Sequence, residues 1–260
     1  MSEEVHPRAD ELDALEALDF VRLMHDEDAH AVEAIAPHLP DIARAVEAVA
    51  DRLRAGGRLH YFGAGTSGLI AAMDAAECPA TFGVAEGTVQ AHTALEPGQE
   101  DDRILGQDAA RSASLRPGDA AVGVTASGRT AFVLGALEEA TARGTFTVAV
   151  TCNPKSRIAR GVDVAIEVET GPEVIAGSTR LKAGTVQKLV LNMLSTAVFT
   201  RLGHTHRGRM VGVVAANEKL RGRAARIIAD LAGVTVEEAM RRLDDAGGDV
   251  RAVLAGVRRA

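Results

Sequence analysis

The chain has 260 residues, with 36 acidic and 29 basic side chains that give a formal net charge of −7 at pH 7. This acidic balance argues against nucleic acid as the main partner, and a hydrophobic content of 47% with 25% charged residues is typical of a soluble protein. We expect no signal peptide and no membrane partner, because the first residues are polar and every long apolar run contains charges. The two cysteines, Cys78 and Cys152, suit a reducing cytoplasm.

Two helical regions open the chain. Apolar residues spaced three apart predict one or two amphipathic helices over residues 10–38. Pro40 and the pair Gly56-Gly57 are typical first-turn and terminating residues of a further helix. Residues 1–48 are therefore predicted to form an N-terminal helical segment, which could cover a sheet or supply a dimer surface.

The next stretch predicts a strand, a glycine-rich turn and a helix. The apolar run Leu59–Phe62 enters Gly63-Ala64-Gly65-Thr66-Ser67-Gly68, and a helical pattern follows as far as Glu77. This order presents backbone N–H groups and a helix N-terminus to an anion. Dinucleotide binding is the weaker interpretation, because the next strand has no acidic end to hold a ribose. The two hydroxyls favour a phosphate monoester, and the predicted ligands are Gly65, Thr66 and Ser67.

A second turn of the same kind follows a later strand. The strand 120–124 leads into Thr125-Ala126-Ser127-Gly128-Arg129-Thr130, which opens a helix over 131–143. Ligands of parallel sheets bind at the carboxyl ends of strands, so the two turns can meet at one phosphate. The predicted ligands from this turn are Thr125, Ser127, Gly128, Arg129 and Thr130.

Strands and helices alternate through the middle of the chain. Further strands are predicted at 88–91, 145–151 and 162–168, and a helix through Ala113 has Ile104 and Leu105 facing inward. The strands are rich in valine and alanine, and the connections are short. This pattern predicts an α/β fold with a parallel five-stranded sheet and helices on both faces.

Residues 171–188 interrupt the alternation. Gly177-Ser178-Thr179 are predicted to cap a long helix that runs to about Leu202. Its first turns carry Arg180 and Lys182, although cations oppose the dipole at a helix N-terminus. An anionic ligand explains this pair better than helix stability does, so Ser178, Arg180 and Lys182 join the predicted site.

The last part of the chain predicts three short helices. One covers 218–231, the capping box Thr235-Val236-Glu237-Glu238 begins the second, and Asp249 can cap the third. Together they form a predicted bundle over residues 213–260, similar to a ubiquitin-associated module. Residues 49–212 remain as the α/β domain.

Four candidate groups have competing interpretations. Glu77 follows the first turn closely enough to be a catalytic carboxylate, whereas Glu100 by itself is typical of a solvated surface acid. His60 is more typical of a packed side chain than of a catalytic base. The pair His204 and His206 has a spacing seen in metal sites but no third ligand, so no metal is expected.

Several separate motifs, in order over about residues 15–258, closely resemble those of N-acetylmuramic acid 6-phosphate etherases. These motifs are Gly63 to Gly68, Asp74-Ala75-Ala76-Glu77-Cys78-Pro79-Ala80-Thr81-Phe82-Gly83, Ala126 to Thr130, Cys152-Asn153-Pro154, and Gly171-Pro172-Glu173 through Gly177-Ser178-Thr179-Arg180-Leu181-Lys182-Ala183-Gly184-Thr185 to Lys188. The last of them is also similar to that of glucokinase regulatory proteins.

The resemblance implies a sugar isomerase (SIS) domain with a flavodoxin-like parallel sheet, here residues 49–212, in a homodimer. It implies a lyase that removes the D-lactyl ether from N-acetylmuramic acid 6-phosphate and gives N-acetylglucosamine 6-phosphate and D-lactate, without metal or nucleotide cofactor. Two glutamates transfer protons in that family, and Glu77 and Glu100 fall on them. We assign Glu77 as the acid that protonates lactate and Glu100 as the base.

Two other functions stay open from the sequence. An aldose–ketose isomerase of sugar phosphates uses the same fold and needs one base near C1 and C2, for which Glu77 or His60 could serve. A non-catalytic sugar-phosphate sensor that binds a partner protein fits two departures from the family. These are Leu69 in place of an arginine and a shorter segment between Thr81 and Glu100.

Overall fold

The computed structural model describes residues 4–212 and 218–257. The boundary predicted at residue 213 lies outside the described residues. Contacts divide the chain into two compact units, of which the first contains the residues up to Ala76 and Gly87–Thr196. The second contains Glu77–Glu86 and the residues from Ala197 onward. The predicted division of the chain at residues 48 and 212 stays a prediction.

A parallel sheet of five strands lies at the centre of the first unit. Its strands are β1 (Leu59–Ala64), β2 (Val89–Ala94), β3 (Ala120–Thr125), β4 (Phe146–Thr151) and β5 (Val164–Glu167). They lie in the order β2-β1-β3-β4-β5, which is the flavodoxin-like order. Every residue of β1 and β3 is buried, as expected when both faces of a sheet are covered. The predicted α/β fold is confirmed.

The strand register aligns the carboxyl ends of the central strands. Gly63 of β1 pairs with Val124 of β3, and Thr125 of β3 pairs with Thr151 of β4. The chain segments that leave β1 and β3 therefore start next to each other. These segments are the two hydroxyl-rich turns.

Helices precede, connect and follow these strands. They are α1 (Ala17–Glu33), α2 (Leu39–Arg54), α3 (Gly65–Phe82), α4 (Arg103–Ser112), α5 (Ala131–Ala142) and α6 (Lys182–Arg201). Short 3-10 helices cover Ala9–Ala14, Ala36–His38 and Gln99–Asp101. The predicted apolar face of α2 is buried at Ile42, Val46 and Val49. None of the helices in the described part of the chain is long and apolar enough to cross a membrane.

The prediction that Ile104 faces inward is wrong. Its side chain is 66% exposed, whereas Gly106 and Ala110 are the buried residues of α4. Asp102 caps the helix and fixes its start at Arg103. Ile104 then lies two positions before Gly106, and residues two apart point to opposite sides of a helix.

The helix after the first turn is longer than predicted. It continues beyond Glu77 and ends at Phe82. Pro79 lies inside this helix, although a proline in a helix interior usually kinks or ends the helix. Burial of Cys78 and Phe82 holds the last turn in place. Gly83, with φ +64°, then ends the helix and donates its N–H to the Pro79 carbonyl at 2.9 Å. Glu77 thus lies within the helix and not at its end.

The second unit contains the three predicted C-terminal helices, α7 (Glu218–Ala232), α8 (Val236–Asp245) and α9 (Val250–Val257). Their shared core includes Ile228, Leu243 and Val250. Thr235 accepts a hydrogen bond from the Glu238 N–H at 3.2 Å, as the predicted capping box requires. The unit also has a short antiparallel pair, β6 (Thr205–His206) and β7 (Arg209–Met210).

Candidate active site

A cavity of about 390 Å³ opens in the first unit at the carboxyl ends of β1 and β3. Its wall includes residues from both hydroxyl-rich turns, from the 3-10 helix before α4 and from the segment before α6. The residues are Ala64, Gly65, Thr66, Ser67, Glu100, Asp101, Thr125, Ala126, Ser127, Arg129, Thr130, Gly177 and Thr179. Eight of the residues predicted from the sequence thus line one cavity, and their binding of substrate stays a prediction.

The first turn is folded so tightly that two of its positions require glycine. A Cβ atom on Gly68 would lie 2.8 Å from the Gly63 carbonyl oxygen, and one on Gly63 would lie 2.9 Å from the Gly68 nitrogen. This close approach lets α3 begin immediately after β1. The first N–H groups of a helix have no partner within the helix, and no acidic side chain lies in the first turn of α3. The start of α3 is therefore open toward the cavity.

The second turn is held by its own hydroxyl groups. The Oγ1 atoms of Thr125 and Thr130 are 2.7 Å apart, and Thr125 Oγ1 is 3.4 Å from Ser127 Oγ. Ser127 Oγ accepts a hydrogen bond from the Arg129 N–H at 3.2 Å, so its own hydroxyl hydrogen can point to a ligand. Thr130 precedes α5 and makes no side-chain cap bond. The start of α5 is open in the same way as that of α3.

Asn153 supports the second turn and was not predicted as part of the site. Its side-chain amide donates to the Ala126 carbonyl at 2.8 Å, and the Thr151 hydroxyl donates to the same oxygen at 3.2 Å. Thr151 is the last residue of β4, and Asn153 follows in the Cys152-Asn153-Pro154 motif. The motif was visible in the sequence, but its contact with Ala126 depends on the pairing of β3 with β4.

The three consecutive acids before α4, Glu100, Asp101 and Asp102, have different surroundings. Asp102 accepts a hydrogen bond from the Leu105 N–H at 2.9 Å and caps α4. Glu100 and Asp101 lie in the 3-10 helix that follows Gly98, which has φ +83°, and both line the cavity. Glu100 is exposed and lines the cavity, and its catalytic role stays a prediction. Asp101, the next candidate if Glu100 has no role, lines the same cavity.

Glu77 is exposed on α3 and belongs to the segment grouped with the second unit. It is not among the residues that line the cavity. At about 1.5 Å per residue, the helix carries Glu77 roughly 18 Å along its axis from Gly65. Glu77 thus lies about three turns along α3 from the first turn, whereas Glu100 lines the same cavity as that turn.

The start of α6 is occupied by a carboxylate of the chain itself. Helix α6 begins at Lys182 and not at the predicted cap 177–179. The two carboxylate oxygens of Glu173 accept hydrogen bonds from the N–H groups of Lys182 and Ala183, each at 3.0 Å. Glu173 has no exposed surface. The anion at this helix start is therefore internal.

The Lys182 ammonium also has an internal partner, because it forms an ion pair with Glu27 of α1. Burial by itself would raise the pKa of Glu27, but hydrogen bonds from Lys182 and His6 outweigh burial and lower that pKa. Ser178 is half-buried and Arg180 is exposed in the segment before α6. The cavity wall does not include four of the predicted ligands, which are Gly128, Ser178, Arg180 and Lys182. Their role in substrate binding stays a prediction.

His60 lies near the amino end of β1, away from the edge of the sheet where the cavity opens. Its Nδ1 atom is 3.1 Å from His92 Nε2, and its side chain has no exposed surface. Burial, followed by the charges of His92 and Arg58, lowers the pKa of His60 to about 4. This packed position does not offer His60 to a substrate in the cavity.

His204 and His206, whose spacing is seen in metal sites, lie in the second unit. Among the described residues, no group of three or more His, Cys, Asp or Glu side chains is arranged to hold a metal ion. His204 Nδ1 lies 2.6 Å from the Phe82 carbonyl oxygen.

Comparisons with known proteins identify the family. The sequence profile of the SIS domain matches residues 26–152. The chain is 50% identical to the N-acetylmuramic acid 6-phosphate etherase of Thermobifida fusca, over 94% of this chain and 82% of that one. It is 48% identical to the enzyme of the same name from Symbiobacterium thermophilum, over 95% and 86% of the two chains.

A solved structure, the phosphoheptose isomerase of Neisseria gonorrhoeae, matches with a TM-score of 0.56 and 20% identity, over 71% of this chain and 100% of that one. At this identity the likeness supports the fold alone. The two etherases, by contrast, match nearly the whole chain at about half of its positions. The chain belongs to the N-acetylmuramic acid 6-phosphate etherase family, built on the SIS domain.

Proposed function

We propose that the protein cleaves the D-lactyl ether of N-acetylmuramic acid 6-phosphate and gives N-acetylglucosamine 6-phosphate and D-lactate. The observation that carries this proposal is one cavity in which two open helix starts, three hydroxyl-bearing residues of the second turn and Glu100 meet. Such a cavity combines groups that bind a phosphate monoester with a carboxylate that can transfer a proton. Family membership supports the same reaction.

The phosphate binds between the starts of α3 and α5. Helix starts favour anions because their N–H groups are unpaired and the dipole is positive there. Ser67, Ser127 and Thr130 add hydroxyl donors, and Arg129 adds the cationic side chain of the cavity wall. The start of α6 is excluded as a third phosphate site, because Glu173 already accepts from its N–H groups.

The reaction is an elimination followed by addition of water. In the open-chain sugar the lactyl oxygen on C3 is β to the C1 aldehyde, which makes the C2 proton acidic. A carboxylate removes that proton, the C3–O bond breaks with its electron pair on lactate, and a carboxylic acid protonates the leaving oxygen. Water then adds its oxygen to C3 and a proton returns to C2. Each positioned acid or base contributes about 10²–10⁴ in rate, and Glu100 is the base.

Glu77, the acid in this account, comes from a second copy of the chain. A hexose phosphate is far shorter than the roughly 18 Å of helix between Gly65 and Glu77, so a sugar held at the first turn is out of reach of the same helix's Glu77. Leu69 and Met73 lie one turn apart on α3 with 58% and 43% of their surfaces exposed. The proposed assembly is a symmetric homodimer that buries this apolar pair, in which Glu77 of one copy acts on the sugar bound by the other.

The cytoplasm is the proposed location. Both cysteines are buried and neither forms a disulfide, which fits a reducing compartment. The net charge of −7 argues against a nucleic-acid partner, and the groups proposed to bind the anionic sugar are confined to one cavity. No nucleic acid, membrane or cofactor takes part in the proposed reaction.

The test is to incubate the purified protein with N-acetylmuramic acid 6-phosphate and to assay D-lactate. The matched control is unphosphorylated N-acetylmuramic acid, which lacks the group that the two helix starts bind. We expect lactate from the phosphorylated sugar only. Ketose formation with C2 exchange and no lactate would identify an isomerase instead. A rise in melting temperature without turnover would identify a sugar-phosphate sensor.

A further inference from the structure

The segment between β5 and α6 forms a closed loop. Glu173 near its beginning accepts from the N–H groups of Lys182 and Ala183 at its end, nine and ten residues later in the chain. Inside the loop, the Ser178 N–H donates to the Ile175 carbonyl at 2.9 Å. Its outer part is exposed, and Gly177 has φ +75°. We call residues 173–183 the clasp loop.

The length of this closure distinguishes Glu173 from an ordinary helix cap. A capping side chain bonds the N–H two or three residues after its own position, as Asp102 and Thr235 do here. Glu173 reaches across the whole loop, so its carboxylate fixes the shape of the segment as well as the end of α6. Gly177 and Thr179, which line the cavity, lie in the chain between Glu173 and its partner Lys182.

The far end of the clasp loop is also anchored to other elements. The Lys182 ammonium pairs with Glu27 of α1, and the Thr179 carbonyl accepts from the Gly184 N–H at 3.0 Å. The Cys152 thiol contacts the Ala183 carbonyl at 3.6 Å. Glu173 thus ties a short exposed loop to a firmly held helix start.

We propose that Glu173 is a positioning residue for substrate binding, whose carboxylate holds Gly177 and Thr179 in the cavity wall. By filling the start of α6, it also leaves the starts of α3 and α5 as the two places for the sugar's phosphate. This inference rests on the proposed function for the identity of the sugar. Glu173 acts through the loop and does not touch the reacting atoms.

The test compares Glu173→Gln with Asp163→Asn. Asp163 also accepts a backbone N–H, that of Thr147 at 2.8 Å, but at the amino end of β4. In Glu173→Gln we expect the KM for N-acetylmuramic acid 6-phosphate to rise about tenfold or more, since small misplacements of binding groups are costly, with kcat nearly unchanged. Asp163→Asn should leave both parameters near those of the unmodified protein.

Hydrogen exchange separates positioning from simple capping. We expect faster exchange of amides 175–181 in Glu173→Gln and weaker binding of the product N-acetylglucosamine 6-phosphate, measured by calorimetry. Faster exchange confined to the first turn of α6, with unchanged KM, would overturn the proposal. If the unmodified protein released no lactate, the proposed function would fail. Hydrogen exchange and binding of N-acetylglucosamine 6-phosphate would still test the positioning role of Glu173. Glu173→Asp, which keeps the charge but shortens the reach, is the second variant if Glu173→Gln does not fold.

Discussion

The starts of α3 and α5 differ from the start of α6, although all three follow segments rich in glycine, serine and threonine. Residues at the first two starts line the cavity, and no acidic side chain lies in the first turn of either helix. At α6, Glu173 accepts from two backbone N–H groups. A helix start is available to a ligand only when no distant side chain fills it. Local sequence does not reveal that difference.

The largest expected effect concerns the carboxylate beside the two open starts. Glu100→Gln should lower the rate of D-lactate release by about 10²–10⁴, because a neutral amide cannot act as the base. It should also abolish deuterium incorporation at C2 in D₂O. Glu77→Gln should block lactate release but keep C2 exchange, since deprotonation precedes loss of lactate.

Asp102→Asn is the matched control for Glu100→Gln, because Asp102 is a close neighbour that caps α4. Weakening this cap should cost at most about 1 kcal/mol of unfolding free energy and leave the rate nearly unchanged. If Glu100→Gln released lactate at a rate near that of the unmodified protein, Glu100 would not be the base. Asp101 would then be the next candidate for that role. C2 exchange only in Glu100→Gln would reverse the two roles.

The next effect concerns the opposite, amino-terminal edge of the sheet, where we expect a dependence of stability on pH. The pKa of His60 is about 4 in the folded chain and near 6.5 when unfolded, so the unfolded state binds the proton first as the pH falls. Stability is therefore full above pH 6.5 and declines toward pH 4 by about 3 kcal/mol. Burial also lowers the pKa of His92, which adds to the decline.

Urea unfolding at several pH values measures this effect. His60→Gln should reduce the slope of unfolding free energy between pH 6.5 and pH 4, while the KM for the phosphorylated sugar at neutral pH stays unchanged. An unchanged slope would show that His60 is not the group that titrates. A raised KM would show that the amino edge also takes part in binding.

The smallest effect sharpens the comparison between the helix starts directly. Ser127→Ala should raise the KM for the phosphorylated sugar by a factor that corresponds to about 1–3 kcal/mol, through loss of a charge-assisted hydrogen bond. Ser178→Ala, in the segment before the filled start of α6, should raise it less. Equal effects of the two substitutions, measured by steady-state lactate release, would mean that Glu173 does not close α6 to the substrate.

The parts of the fold that were predictable depend on local patterns. Valine-rich strands and the two turns follow from the spacing of apolar residues, glycines and hydroxyls, and the alternation of strands and helices is enough to place both turns at one edge of the sheet. The glycines at 63 and 68 were visible as a motif. Their close backbone approach, which leaves only 2.8–2.9 Å for a Cβ atom on either residue, gives the physical reason for it.

The parts that were not predictable depend on contacts between distant residues. Lys182 pairs with Glu27, 155 residues earlier in the chain, so a cation that suggested a ligand has an internal partner. The helical pattern was predicted to end at Glu77, but α3 continues through Pro79 to Phe82, with Cys78 and Phe82 buried on either side of the proline. Glu100 and Asp102 look alike in the sequence, and only the observed start of α4 separates a cap from a cavity carboxylate.

The central claim is that the substrate's phosphate binds at the open starts of α3 and α5 and not at α6. The most direct measurement is a crystal structure with N-acetylglucosamine 6-phosphate bound. We expect the phosphate within hydrogen-bonding distance of the Ser67 backbone and the Ser127 hydroxyl, with Glu173 still bonded to Lys182 and Ala183. A phosphate bonded to the first N–H groups of α6, with the Glu173 carboxylate displaced, would contradict it.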